Sequence, residues 1–216
     1  MTKTEIISLI KNLLPKQDKT GKFHPRFLAA AIEKTINEMY NEAWRINPLE
    51  LQRYVKGFGY DTALTISSPE GATGIYYISY PTDVSIVPFP DKASGCRRVS
   101  TVVQGGLTFF PMDAREADLV VSGSNVNTVT SKIGYITLPN RIEFYNMNAT
   151  VLAAGCRIDL IIPFSNYDDT DTVLIPEFKD RQGLTFTDRV LKTLQVIQPV
   201  DQIDDNSDIK ISNTRQ

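Results

Sequence analysis

The chain is short of the residues that most often carry chemistry. It holds one histidine, two cysteines and one tryptophan in 216 residues. With a single histidine, His24, a histidine-based triad or a multi-histidine metal site is hard to build within one chain. His24 stands just before Pro25, where a solvent-facing residue at a helix start accounts for it. There is no Cys-x-x-Cys, which removes zinc-ribbon and thiol-redox motifs. Cys96 and Cys156 lie far apart. A disulfide between them is one option, but without a secretory context two buried free thiols are the expected state.

Long apolar runs are also missing. Nothing approaches the roughly 18 apolar residues of a membrane span. Residues Met1 to Leu14 have no apolar run behind a basic start, so they do not read as a signal peptide. The chain is therefore expected to be soluble and made inside the cell. The sequon Asn148-Ala149-Thr150 is then incidental. Charge of one sign does not dominate either. Lys and Arg number 23 against 25 Asp and Glu, a net charge of −2, which supplies no global field for nucleic acid or an acidic membrane. Residues 1–56 hold a small excess, ten basic against six acidic. It reads as a solvated helix face, with a weak non-specific phosphate contact as the alternative. Arg97-Arg98 is the one adjacent basic pair.

Familiar binding loops fail on inspection. No phosphate-binding G-x-x-x-x-G-K-[ST] occurs. Gly57-Phe58-Gly59 opens like a dinucleotide loop but lacks the next glycine and a following helix. Asp204, Asn206 and Asp208 open like a calcium loop. Its sixth position is Ile209 where glycine is needed, and its twelfth is Arg215, which would repel the ion. Asp168, Asp169 and Asp171 read as a solvated acidic turn. No nucleophile, base and orienting group stand at recognisable spacing. The expectation is a protein without catalytic residues, cofactor or metal.

What is present is ordinary globular material, 42% hydrophobic and 22% charged, enough for one sizeable core or two small ones. Thr2-Lys3-Thr4-Glu5 fits a capping box, and Ile6, Leu9, Ile10, Leu13 and Leu14 follow at helical spacing up to Pro15. Phe27, Leu28, Ala31, Ile32, Thr35, Ile36, Met39, Tyr40 and Ala43 form a second, broader stripe. It predicts a helix from Pro25 to Ile46, ended by Asn47-Pro48 and ~33 Å long.

From Leu49 the period becomes two. Short β-type runs begin at Leu51, Ala63, Ile75, Val84, Arg98, Leu107, Ile133 and Arg141, each bounded by Gly, Pro, Asn or Ser. Gln104-Gly105-Gly106-Leu107 and Leu138-Pro139-Asn140-Arg141 read as hairpin turns. Residues Asp113 to Val121 suit a brief helix capped by Asp113, and Arg157 to Phe164 a central strand. A last helix carries Leu184 or Phe186, Val190, Leu191, Leu194 and Ile197, with Thr185 or Thr187 as cap and Pro199 as its end. The tail has Asp201, Asp204, Asp205, Asn206 and Asp208 around Ile203, Ile209 and Ile211, and by composition should not fold alone.

The expected fold is α+β: an N-terminal helical hairpin (1–48), an antiparallel β-sandwich or small barrel (49–165), a loop and C-terminal helix (166–199), and an extended docking tail (200–216).

Three stretches carry a resemblance. They are the strand and loop Arg157-Ile158-Asp159-Leu160-Ile161-Ile162-Pro163-Phe164 through Asp171; Val173-Leu174-Ile175-Pro176 leading to Arg189-Val190-Leu191 and Leu194; and Pro199-Val200-Asp201 with Asp204-Asp205-Asn206. With the helix from Ala31-Ile32-Glu33 to Asn41-Glu42-Ala43-Trp44, this order resembles the head-to-tail connector (ring) proteins of podovirus-type, crAss-like bacteriophages. The likeness is best over the last third of the chain.

The resemblance implies a structural virion protein in the neck between portal and tail. It would be made in the bacterial cytoplasm and closed into a homo-oligomeric ring, often of twelve copies. Its partners would be the portal and neighbouring tail rings. DNA would pass through the channel without specific contact. Ile209 and Ile211 share one strand face and Ile203 adds an anchor, so with Asp205 and Asn206 the tail is expected to dock on a partner's sheet edge. Tyr40, Trp44 and Arg45 are candidate subunit contacts, Trp44 being equally suited to a core. Two other classes stay open: a β-rich adhesin or glycan-binding module using its tyrosines, and a hydrolase with an unrecognised carboxylate site.

Overall fold

The computed structural model describes residues 1–14, 25–67, 75–81, 84–102, 107–121, 132–147, 149–176 and 184–197. The first helix, α1 (Lys3–Leu13), starts on the expected capping box. Glu5 N–H donates to Thr2 Oγ1 at 3.2 Å and Thr2 N–H donates to Glu5 Oε2 at 2.8 Å. The second, α2 (Pro25–Ile46), buries Leu28, Ala31, Ile32, Thr35, Ile36, Met39, Tyr40 and Ala43, the stripe predicted from spacing. Asn47 then accepts Leu49 N–H on its side chain, and Pro48 opens a 3₁₀ turn, Pro48–Arg53. That turn replaces the strand expected at Leu51. Leu51 alone is fully buried there, rather than alternate residues.

Among the described residues seven strands make two sheets. The first is antiparallel, in the order β1 (Lys56–Phe58), β7 (Cys156–Leu160), β3 (Cys96–Thr101), so the strand expected to be central is central. The second follows the order β2 (Tyr76–Ser79), β6 (Arg141–Tyr145), β5 (Gly134–Thr137), β4 (Phe110–Pro111). It is mixed, because β4 runs parallel to β5. Helix α3 (Ala114–Val121) lies in the connection between them, and a helical crossover is what lets neighbouring strands run parallel. The expected antiparallel sandwich or barrel is corrected accordingly: one sheet is mixed, and no barrel closes among the described residues.

The β5–β6 hairpin turns at Leu138-Pro139-Asn140, with Leu138 N–H donating to Arg141 O. Residues 103–106 lie outside the described residues, but their flanks pair antiparallel, Thr101 N–H to Leu107 O and Phe109 N–H to Val99 O. A short helix that spacing did not announce, α4 (Ala149–Ala154), precedes β7. Gly155 follows it at φ +71°, and a Cβ there would stand 2.8 Å from Leu64 O. Glycine is what allows the Leu64–Cys156 bridge that extends β7.

Both helices of the expected N-terminal hairpin are present, with their connection, 15–24, outside the described residues; α2 also packs along the last helix, α5 (Phe186–Ile197). Glu42 and Arg189 are ion-paired at 2.9 Å, and the Thr35 and Thr193 hydroxyls meet at 3.3 Å. Numbers fall along α2 as they rise along α5, so the two run antiparallel. Helix α1 rests on α5 and on the loop after β7, where Thr4 N–H donates to Asp169 O and Lys3 Nζ to Ser165 O and Tyr167 O.

One cluster joins α1 (Ile6, Ile10), α2 (Ile36, Tyr40), both sheets (Val99, Phe144, Ile158) and α5 (Val190, Leu194). Phe109 meets Phe144 edge-on at 5.7 Å between ring centroids. Cys96 and Cys156 are both free and buried. Cys96 pairs with Leu160, four residues along β7 from Cys156, a separation of about 13 Å that no disulfide bridges. Burial pushes both thiols up to about 12.

Candidate interaction surface

A hollow lies where α2 ends. Its volume is about 1030 Å³. The last turn of α2 and the 3₁₀ turn form one wall, Val173–Pro176 the other, and the start of α5 the floor near Thr185 and Phe186. Each part is there for a local reason. Pro48 forces α2 to stop, so Ile46 projects past the helix body at 75% exposure. Leu49, in the turn behind it, is 69% exposed. The opposite wall is fixed from beneath, because Tyr40 Oη donates to Leu174 O at 2.8 Å. Burial, the first of several causes, raises the Tyr40 hydroxyl well above its ordinary range, so it stays a donor. Its ring lies 6.0 Å from that of Tyr54, which lines the hollow.

The same wall is pinned at its other end. Met1 O accepts Val173 N–H at 2.9 Å and Thr2 bridges Thr172. Lys56 Nζ binds Asp171 Oδ2 and stands over the rings of Phe58 and Tyr167. Burial alone would raise Asp171. Lys56, the Asp168 N–H and Lys3 outweigh it and hold the carboxyl below its ordinary range. At the rim, Arg53 and Glu50 form an exposed pair at 3.2 Å.

A second, smaller hollow of about 260 Å³ is lined in part by Arg97, Arg98 and Asp159 of the first sheet. Two of its lining side chains, Asp159 and Arg97, bond to neighbours outside it. Tyr60 Oη donates to Asp159 Oδ1 at 2.8 Å, and the Arg157 guanidinium lies 5.0 Å from the Tyr60 ring centroid. Arg97 Nη1 donates to Asp91 Oδ2 at 2.8 Å, and Trp44 Nε1–H shares that oxygen at 3.1 Å. These bonds knit strands to loops.

The three α2 residues singled out from sequence therefore part company. Tyr40 is fully buried and belongs to this chain's own core, so it offers no surface to another. Trp44 is half-buried and tied to Asp91. Arg45 is exposed beside Ile46. The tail residues Ile203, Asp205, Asn206, Ile209 and Ile211, and also His24, lie outside the described residues. Sequence reasoning missed Ile46, Leu49, Tyr54 and Leu174. The signal available was an apolar residue on each side of Asn47-Pro48, one more than an ended helix needs. Among the described residues no three His, Cys, Asp or Glu side chains are grouped to hold a metal, and no helix is long and apolar enough to cross a membrane. Comparison with protein-family models, with curated proteins and with solved structures finds no match to this chain.

Proposed function

We propose that this chain works by a static fit to other protein chains, as a structural subunit of a larger assembly. The observation that carries the reading is the apolar hollow with Ile46 and Leu49 standing out beside it. Clustered large apolar side chains in water mark contact sites more often than idle surface. The sequence resemblance supplies the setting: a ring in the neck of a tailed-phage virion, between portal and tail, lining a channel through which DNA passes. A ring needs two different patches per subunit, and a long rigid helix with its apolar end exposed suits such head-to-tail contact.

The test is native mass and negative-stain imaging of the chain with a portal and its ring neighbours. Annular particles are expected. Ile46→Asp should weaken association about tenfold, the loss of one buried aliphatic contact, with unchanged circular dichroism because Ile46 is exposed in the free chain. A chain that stays monomeric beside those partners overturns the reading.

A further inference from the structure

A knob and a hole stand side by side at the end of α2. Ile46 is 75% exposed and projects past the helix body, and the hollow beside it is lined by Tyr54, Leu174 and Phe186. A surface with both features is complementary to its own copy turned through half a rotation. Each Ile46 then enters the other chain's hollow, and the contact closes on itself.

Size and charge fit the same occupant. Met1, Ile46 and Leu174 line the hollow, and Leu49 sits in the turn between the lining residues Asn47 and Glu50. These four are between 39% and 75% exposed. Together they present on the order of 400 Å² per chain, the extent of the largest apolar patch on a typical monomer. A standard interface takes about 800 Å² from each partner, so the patch supplies its core and the polar residues around it the rest. The charge there is balanced. Residues 25–53 carry four basic and four acidic side chains, and Glu50 and Arg53 are the charged side chains among the described residues that line the hollow. A strongly charged partner finds nothing to select it, and a second copy finds nothing to repel it. Glu50 and Arg53 pair within the chain at 3.2 Å, with side chains 37% and 74% exposed. About a two-fold axis they exchange partners, Arg53 of each chain with Glu50 of the other, and no charge is left over.

We infer that the hollow is a self-association site, through which two copies of the free chain join as a two-fold dimer. Ile46 of each copy sits in the hollow of the other, and Glu50 and Arg53 pair across the axis. The dimer keeps the contact surface out of water until a different neighbour displaces the second copy. The inference rests on the reading of this hollow as a contact surface, and not on the virion setting.

The experiment is sedimentation velocity of the full chain alone, from about 5 to about 200 µM, the range in which a small interface associates and dissociates. A single monomer–dimer equilibrium is expected. Ile46→Asp should raise its dissociation constant about tenfold while the melting temperature holds, because Ile46 is exposed in the single chain. Glu50→Arg and Arg53→Glu each set like charges against one another across the axis, and each alone should weaken the dimer about fivefold. Mixed in equal amounts, they should form heterodimers as tight as the parent, since one chain then carries both positive charges and the other both negative. Monomer at every concentration, growth past the dimer, a dimer indifferent to Ile46→Asp, or mixed charge variants no tighter than either alone overturns the inference. The assembly reading fails separately, if the chain ignores a portal and its ring neighbours.

Discussion

At the scale of the residue, one brace of the contact wall is an ion pair. Asp171 lies at the turn that leads into Val173–Pro176, and Lys56 reaches it from β1. Burial works against the carboxylate, but Lys56 and the Asp168 N–H hold its folded pKa below the ordinary value. A depressed folded pKa means the contribution is complete above the unfolded value, about 3.9, and is lost as pH falls through the folded one. Stability should therefore hold from neutrality to about pH 5 and decline beneath pH 4. Asp171→Asn keeps an acceptor for the Asp168 N–H but loses the charge. It should be less stable than the parent at pH 7 and converge with it near pH 2, flattening the acid limb in denaturant titrations read by circular dichroism. A parallel displacement of the two curves at every pH would show that the pair does not carry this dependence. None of this was legible in the sequence. Asp171 read as part of a solvated acidic turn because Lys56 is 115 positions away, and only the fold brings them together.

At the scale of the element, legibility followed locality. Helix α2 was readable to its ends because Pro25, the stripe and Asn47-Pro48 are all near neighbours in sequence. Capping boxes behaved likewise. In α3, Glu116 N–H donates to Asp113 Oδ1 and Asp113 N–H to Glu116 Oε2, both at 2.9 Å. In α5, Thr185 N–H donates to Asp188 Oδ2 at 3.0 Å and the Thr185 hydroxyl to the same oxygen at 2.6 Å. Pairing is not local. Spacing identifies a buried face but not its partner, and α2 meets α5 across more than 140 positions, at Glu42–Arg189 and Thr35–Thr193. The Leu51 run failed because Asn47 and Pro48 nucleate a tight turn that overrides a five-residue β pattern. Because α5 is held at its start by Thr185, losing that cap should be felt by the whole core. Thr185→Ala should cost about 1 kcal/mol and lower the melting temperature by about 2–4 °C. Thr185→Ser, which restores the oxygen, should recover most of it. An alanine variant as stable as the parent would mean that the α2–α5 contact alone fixes the helix start.

At the scale of the whole molecule, two different forces could drive association, and they answer differently to salt. The first 56 residues carry an excess of four positive charges, ten minus six. Contacts made by that excess with acidic partners would be screened, because the Debye length shrinks from about 10 Å at 0.1 M salt to about 3 Å at 1 M. Contacts made through the hollow would bury Ile46 and Leu174 instead. Their driving force is the removal of apolar surface from water. It does not weaken with ionic strength, strengthens in sulfate, and weakens on cooling near room temperature. Sedimentation velocity of the chain with its neighbours should therefore show complexes that persist in 1 M NaCl, sharpen in sodium sulfate, and loosen toward 4 °C. Dissolution by NaCl with indifference to temperature would move the contact from the end of α2 to the basic residues of the first 56. The fold itself favours the apolar route. Asn47-Pro48 stops α2 where its apolar stripe still has Ile46 to offer, and the wall opposite is braced by Tyr40, Lys56 and Thr2. A surface held this rigidly loses little conformational freedom when it is covered, and that is what lets a modest apolar area hold a partner.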